Sequence, residues 1–233
     1  MHSPRHIAII PDGNRTRAKE KGKLQLQWHR AGYLNTLTLV EYMFSQTSIE
    51  AVTFRWLSTE NIKQRSKEEL DYLYEFAKQL KKDLGKILEK YRVNFRRAGT
   101  TVWLPDDVVT LLQAMQETFA FPTEKYMTLA INYGGRDEVI RGIKKRAKED
   151  GNAEQLTEEK FSSYMDFGDI PTIDLVIRTK SELASRISGF MLRWIGYAEL
   201  FFSAYYFPDF GITQLEEALM RFDERAQARN FGK

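Results

Sequence analysis

The sequence predicts an α/β fold: a single domain with a central, mostly parallel sheet flanked by helices. Three observations carry that expectation. Short β-branched apolar runs alternate with longer amphipathic segments along the chain, the signature of strand–helix–strand units. Polar turn clusters close the strand-like runs. No Pro/Gly-rich linker, internal repeat or low-complexity tract divides the 233 residues, so one domain over residues 1–233 is expected.

The elements follow in order. His6-Ile7-Ala8-Ile9-Ile10 is a β-branched strand, stopped by the turn Pro11-Asp12-Gly13-Asn14. Residues 31–44 read as helix and residues 51–57 as strand. Ser66-Lys67-Glu68-Glu69 is a capping box. The stripe Leu70, Leu73, Ala77, Leu80, Leu84, Ile87, Leu88, Tyr91 then carries a helix of 26 residues, ~39 Å long at ~1.5 Å per residue. Residues 93–97 and 101–104 read as short strands. Pro105 opens a helix to about Thr118, and residues 126–132 form a strand. The turn Tyr133-Gly134-Gly135-Arg136 leads into a helix that ends near Gly151. Residues 148–159 read as a surface loop, Thr157 caps a short helix, and residues 173–177 form a strand. A second capping box, Thr213-Gln214-Leu215-Glu216, starts the C-terminal helix.

Composition narrows the chemistry. Hydrophobic residues make up 42% and charged residues 29%, which is ordinary for a globular chain. Cysteine is absent, which excludes disulfides, thiolate metal sites, iron–sulfur clusters and a cysteine nucleophile. Thirty-five basic against 32 acidic side chains give a net charge of +3, too small for a nucleic-acid module. The N-terminal 35 residues nonetheless hold seven cations against Asp12 and Glu20. Residues 187–207 are rich in apolar side chains, but Arg193 and Glu199 sit mid-stretch. A buried helix followed by a buried strand fits that stretch better than a membrane span. No apolar leader opens the chain. The expectation is a soluble, cytoplasmic protein with no transmembrane segment.

Ligands of open α/β sheets bind beyond the carboxyl ends of the strands. Four polar segments should gather there: Asp12-Gly13-Asn14, Ser58-Thr59-Glu60-Asn61, Asn132-Tyr133-Gly134-Gly135-Arg136 and Arg178-Thr179-Lys180-Ser181-Glu182. Their donors, arginines and few carboxylates suit a phosphorylated ligand with a divalent cation. Asp12 is the carboxylate placed to hold that cation, with an Asx-turn or helix cap as its structural alternative. Walker, Rossmann and G-x-S-x-G motifs are absent.

Six patches in order then carry a resemblance. His6-Ile7-Ala8-Ile9-Ile10-Pro11-Asp12-Gly13-Asn14, His29-Arg30-Ala31-Gly32, Leu57-Ser58-Thr59-Glu60-Asn61, Asn132-Tyr133-Gly134-Gly135-Arg136, Asp174-Leu175-Val176-Ile177-Arg178-Thr179, and Tyr197-Ala198-Glu199-Leu200-Phe201-Phe202 with Phe207-Pro208-Asp209-Phe210 resemble the signatures of the cis-prenyltransferase (undecaprenyl diphosphate synthase) family. The resemblance implies that family's fold, with a hydrophobic product tunnel. It implies a homodimeric, Mg²⁺-dependent enzyme joining an allylic diphosphate to isopentenyl diphosphate with a new Z double bond. Asp12 would anchor Mg²⁺-diphosphate and Glu199 would share the metal. Asn14 and His29 would assist at the reacting centre, and Ser58 and Asn61 would position the substrate or take part in proton removal. Gly13, Arg15, Arg17, Trp56 and Arg65 would bind substrate, and Arg178, Arg186 and Ser188 would hold the second diphosphate. The tail Arg229-Asn230-Phe231-Gly232 resembles a terminal segment that reaches into the partner's site. Trp56 stands where long-chain members have a small residue, and Phe54 would share its face. Trp56 should therefore plug the tunnel and keep products short, and Trp56→Ala should lengthen them.

The chain also departs from the pattern. Thr16 holds a position usually Arg, Gln25 replaces an Arg before the His, and Ile62-Lys63-Gln64-Arg65 replaces a Trp-x-Arg-Pro turn. The Arg178-to-Arg186 spacing is two residues longer than usual. These departures leave open a branched, lavandulyl-type condensation or transfer to another acceptor. A non-catalytic partner subunit is a third reading, against which Asp12 and the tail argue.

Overall fold

The computed structural model describes residues 2–22, 25–149, 155–180 and 185–228. Its elements, in order, are β1 (His6–Ile10), α1 (Asn14–Glu20), α2 (Gln25–Gln46), β2 (Ala51–Ser58), α3 (Thr59–Gln64) and α4 (Lys67–Tyr91). β3 (Asn94–Ala98), α5 (Asp106–Thr118), β4 (Tyr126–Tyr133), α6 (Gly135–Arg146) and α7 (Glu158–Ser162) follow. β5 (Leu175–Arg178), β6 (Glu199–Phe202), a 3₁₀ turn at Phe207–Asp209 and α8 (Ile212–Ala228) close the chain.

The six strands form one parallel sheet in the order β3-β4-β2-β1-β5-β6. Period-two alternation divides its faces. Ile7 and Ile9 of β1 and Val52 and Phe54 of β2 join the core built with α2, α4, α5 and α8. Ala8 and Ile10 face the other way, onto Met165, Phe167, Phe190 and Trp194. Strand order reverses beside β1, whose neighbours are β2 and β5. That switch point opens a crevice at the carboxyl ends of β1 and β5.

The long helix α4 follows from its stripe. Leu73, Ala77, Leu80, Leu84 and Leu88 are all buried. Ser66 caps it by accepting from the Glu69 amide at 3.3 Å. Other expectations are corrected. Residues 101–104 form a turn rather than a strand: Trp103 takes φ +67°, outside the extended region, and Val102 and Trp103 lie exposed. The helix after Gly134 ends at Arg146, where the Ala147 amide still bonds Ile143 before the chain turns. α8 begins at Ile212, two residues before the helix that a Thr213 cap would start, and the Gln214 side chain accepts from the Gly211 amide at 2.8 Å. Residues 187–207 hold no α-helix: tight turns lead into β6, a half-exposed strand at the sheet edge. Among the described residues, no helix is long and apolar enough to cross a membrane.

Candidate active site

A cavity of about 570 Å³ opens at the carboxyl ends of β1, β2 and β5. Its walls come from the turn after β1, from α2, from the end of β2 with α3, and from the segments after β5. Six cations line it: Arg15, Arg55, Arg65, Arg178, Lys180 and Arg186. The carboxylates among its walls are Asp12 and Glu60. Clustered guanidinium groups repel one another, so this cavity is built for a polyanion.

Asp12 sits where β1 ends. Its Oδ2 accepts from Arg178 Nη2 at 2.9 Å, and its Oδ1 accepts from the Gly13 amide at 2.7 Å. Its own amide donates to Thr179 Oγ1 at 2.8 Å, which locks β1's turn to the end of β5. Gly13 has φ +105°, and a Cβ there would meet Tyr206 Cδ1 at 2.5 Å, so this turn admits glycine only. Gly32 is small for another reason. A Cβ on it would lie 2.8 Å from Asn14 Oδ1, so the His-x-x-Gly spacing makes room for Asn14.

His29 is buried, with Nε2 lying 3.3 Å from Glu69 Oε1. Burial first, then the nearby Arg65 guanidinium, lowers its pKa to about 4. The imidazole is therefore neutral at pH 7. Glu69 also pairs with Arg65 at 3.2 Å and Arg15 at 3.8 Å, tying two cavity cations to α4. Sequence reasoning saw Glu69 only as a capping residue.

Ser58 and Asn61 line the cavity, yet they also close a reciprocal cap on α3. Ser58 Oγ accepts from the Asn61 amide at 3.1 Å, and Asn61 Oδ1 accepts from the Ser58 amide at 3.3 Å. Arg178 Nη1 donates to Ser188 Oγ at 2.9 Å and to the Arg186 carbonyl. One buried guanidinium thus organises both Asp12 and the Arg186–Ser188 loop. Lys180 donates to Thr16, bringing a cation beside the position where an arginine is usual.

Arg55 was not foreseen. β2 and β4 lose register between Arg55 and Leu57, and there the neighbours Arg55 and Trp56 both reach the cavity. Regular alternation would send them to opposite faces. Arg55 Nη2 donates to the Ser188 carbonyl at 3.2 Å, and burial holds its pKa below the ordinary value.

Three expectations do not meet the cavity. Arg17 pairs with Asp209 at 2.9 Å and lies over the rings of Trp28 and Tyr206, away from the cavity walls. Glu199 opens β6 in register with Leu175 and Ile7, at the amino end of the sheet, and pairs with Arg225 at 3.0 Å. Within one chain it does not join Asp12, which lies beyond the opposite strand end. Arg136 is exposed, and the Gly134-Gly135 turn packs loops: a Cβ on Gly135 would meet the Gly189 carbonyl at 2.7 Å. The 229–232 tail, Ser181 and Glu182 lie outside the described residues, as does the side chain of Gln25.

The cavity shares walls with a smaller cleft of about 60 Å³ between α2, α4 and β2, where Tyr33, Trp56, Leu73, Phe76 and Phe207 stand beside Asn14, His29, Thr36 and Arg65. Pro11, Asn14, His29, Trp56 and Arg65 line both spaces. Asn14 Oδ1 is buried without a hydrogen-bond partner among the described residues and His29 Nε2 faces Glu69, so polar atoms stand at the junction. Phe54 shares the α2/α4 face with Trp56 but packs against Phe207 in the core.

A divalent cation fits the donor set. Mg²⁺ is commonly held by one or two carboxylates plus substrate phosphates and water. Asp12, with 40% of its side chain exposed, offers such a carboxylate. Among the described residues no group of three His, Cys, Asp or Glu side chains forms an all-protein cage.

Comparison with known proteins agrees with this geometry. A family model described as putative undecaprenyl diphosphate synthase matches residues 10–232. The geranylgeranyl-diphosphate-specific tritrans,polycis-undecaprenyl-diphosphate synthase of Thermoplasma acidophilum is 36% identical, over 99% of this chain and 89% of its own length. An isoprenyl transferase of Aquifex pyrophilus is 36% identical, over 99% and 96%. Lavandulyl diphosphate synthase from Lavandula x intermedia, solved in complex with dimethylallyl diphosphate, superposes with a TM-score of 0.88 at 28% identity, covering 99% of each chain.

Proposed function

Because the chain belongs to the undecaprenyl diphosphate synthase family of cis-prenyltransferases, we propose that it condenses an allylic prenyl diphosphate with isopentenyl diphosphate to a short Z-prenyl diphosphate. The observation that carries this reading is the six-cation cavity sharing walls with a cleft where the rings of Tyr33, Trp56, Phe76 and Phe207 gather. One space suits diphosphates and the other a short hydrocarbon tail.

The reaction breaks the allylic C–O bond, and the diphosphate leaves with the electron pair. The double bond of the second substrate attacks the allylic carbon, a C–C bond forms, and a proton is lost. Arg15 and Arg65, held by Glu69, orient the leaving diphosphate and stabilise the charge it gains. Arg178, Arg186, Ser188 and Arg55 hold the second diphosphate. Aromatic walls at Trp56, Tyr33 and Phe76 keep water from the allylic cation. Neutral His29, at the junction of the two spaces and held by Glu69, has one unprotonated ring nitrogen that can take the released proton. Asn14 Oδ1 lies beside it as a polar contact for the reacting centre. Ser58 and Asn61, fixed by their cap, position the substrate edge. Asp12 would hold Mg²⁺, which when bound neutralises diphosphate charge and favours its departure. The outer strand β6 and its flanks expose Tyr197, Leu200 and Tyr205, apolar surface that a second copy in a homodimer would cover.

A second reading is a branched, lavandulyl-type condensation. The small cleft favours it, because the shortest donor tails need the least room there. Incubation with Mg²⁺, labelled isopentenyl diphosphate and allylic diphosphates of five, ten and fifteen carbons, followed by gas chromatography–mass spectrometry of the dephosphorylated products, separates the two. Linear Z products support the first reading. Branched products from dimethylallyl diphosphate alone support the second. No turnover of any pair refutes both.

A further inference from the structure

Glu69 offers one carboxylate to three basic groups from three parts of the chain. Its Oε1 lies 3.3 Å from His29 Nε2 of α2 and 3.2 Å from Arg65 Nη1, in the turn between α3 and α4. Its Oε2 lies 3.8 Å from Arg15 Nη1 of α1. The Glu69 side chain is 12% exposed, so solvent screens these pairs weakly. The contact to the imidazole is longer than an ordinary N–H···O bond, and Oε1 is buried with no aligned hydrogen bond among the described residues. The carboxylate is therefore divided among its neighbours rather than closed on the ring. Burial and the Arg65 charge hold the His29 pKa at about 4, and Arg15 adds to the effect, while Glu69 opposes it. A base held that low takes a proton poorly at neutral pH.

A diphosphate changes this division. Arg15 and Arg65 line the cavity, where phosphate oxygens would compete with Glu69 for them. We propose that Glu69 is a positioning residue that changes partner: binding of the allylic diphosphate draws Arg15 and Arg65 from it, and the freed carboxylate closes on His29, which becomes an effective base only in the loaded site. This rests on the prenyl diphosphate reading. After the second substrate's double bond has attacked the allylic carbon, a C–H bond breaks and its electron pair forms the new double bond. The proton passes to the unprotonated ring nitrogen of His29, and the imidazolium so formed pairs with Glu69. No further reactant is needed. An opposite charge within ~4–6 Å favours the charged form of a titrating group, so the freed carboxylate acts in the direction the step requires.

Inorganic pyrophosphate tests this apart from turnover. The chain has three histidines, and His2→Gln and His6→Gln assign their imidazole signals in NMR titrations of the whole protein. Saturating pyrophosphate should raise the proton affinity of His29 roughly tenfold or more, the scale of one opposite charge made available nearby. His6, at the other end of β1 and with a pKa also about 4, should not move. Glu69→Gln keeps the side chain's shape. It should bind pyrophosphate at least as well as the wild type, because Arg15 and Arg65 lose a competitor, yet leave the His29 pKa unmoved. Its kcat should fall roughly tenfold or more with little change in KM for the allylic substrate. Glu69→Asp should recover part of that loss and show a smaller rise at His29. Pyrophosphate binding to the wild type with no rise at His29 overturns the switch, with no variant required to fold. An equal rise in Glu69→Gln also overturns it, because the ligand's own charge would then be the cause. If pyrophosphate does not bind the wild type, the diphosphate reading itself falls and takes the switch with it.

Discussion

Replacing Arg55 with alanine should weaken diphosphate binding without harming the fold. The side chain is 11% exposed and lines a cavity with five other cations. Burial first, and then its positive neighbour Arg178, lower its pKa, and Glu60 at 3.9 Å offsets them only in part, so in the ligand-free protein the guanidinium is a desolvated and incompletely paired charge. A diphosphate relieves that setting by accepting charge-assisted hydrogen bonds. Such bonds contribute ~1.5–3 kcal/mol each, and ~1.4 kcal/mol is a factor of ten in affinity. Arg55→Ala should therefore raise the Kd for inorganic pyrophosphate by roughly 10–100-fold at low salt. The melting temperature should hold steady or rise, because one of the repelling charges is gone. Arg55→Lys should fall between, keeping the charge and losing the planar fork that also donates to the Ser188 carbonyl. Titration calorimetry with pyrophosphate and Mg²⁺ at two ionic strengths reads all of this, and the gap between variants should narrow as salt rises. A Kd for Arg55→Ala within twofold of wild type at low salt would show that Arg55 only braces the loop.

Other outcomes can be checked alongside. Asp12→Asn keeps one acceptor, enough for the Gly13 amide, but turns an NH2 toward Arg178 and removes the carboxylate charge, and turnover should drop by ~10²–10³ with the fold intact, as for loss of one preorganised transition-state contact. A chelator should likewise suppress wild-type turnover, and full activity in Asp12→Asn would end the metal assignment. Arg178→Ala and Arg186→Ala should raise the KM for the second substrate, with Arg178→Ala the more severe because it also frees Asp12 and Ser188; unchanged KM values would move the second diphosphate elsewhere. Acid should destabilise the protein in a defined window. His6 and His29 have folded pKa values of about 4, below the ordinary 6.5, chiefly through burial. The unfolded chain thus binds more protons between those values, so their contribution is complete above pH 6.5 and is lost as pH falls toward 4. Melting temperatures measured from pH 7.5 to 4.5 should decline below 6.5, and His6→Gln should flatten the decline; a flat wild-type profile contradicts it.

Much of the fold was legible because strand and turn signals are local. The run from His6 to Ile10 and its stop at Asp12-Gly13 place the first site residue at a strand's carboxyl end without any knowledge of neighbours. The α4 stripe is likewise written in spacing alone. What failed to show was whatever depends on register or on partners distant in sequence. Arg55 is hidden because strand alternation assigns it to the face opposite Trp56, and the break in register that overrides this arises between β2 and β4. Arg17 looked like a phosphate ligand beside Asp12, but Trp28 and Asp209 claim it through tertiary contact. Glu199 sits in a motif, yet a motif does not say which end of β6 its residue occupies. Ser58 and Asn61 were legible as a pair, although the S-x-x-N spacing also encodes the cap that holds them.

The strand order has a cost in time as well as a use in space. β1 lies between β2 and β5, and its pairing with β5 joins Ile7 to Leu175. Synthesis proceeds at about 5–20 residues per second, so one side of the first strand waits on the order of ten seconds or more for its neighbour to be made. During that interval an apolar edge of the sheet's centre is open on the ribosome. The same pairing that brings Asp12 to Arg178 therefore ties the formation of the site to near-completion of the chain. Until β5 is made, Asp12 stands at the end of the first strand without the guanidinium that holds it in the finished protein.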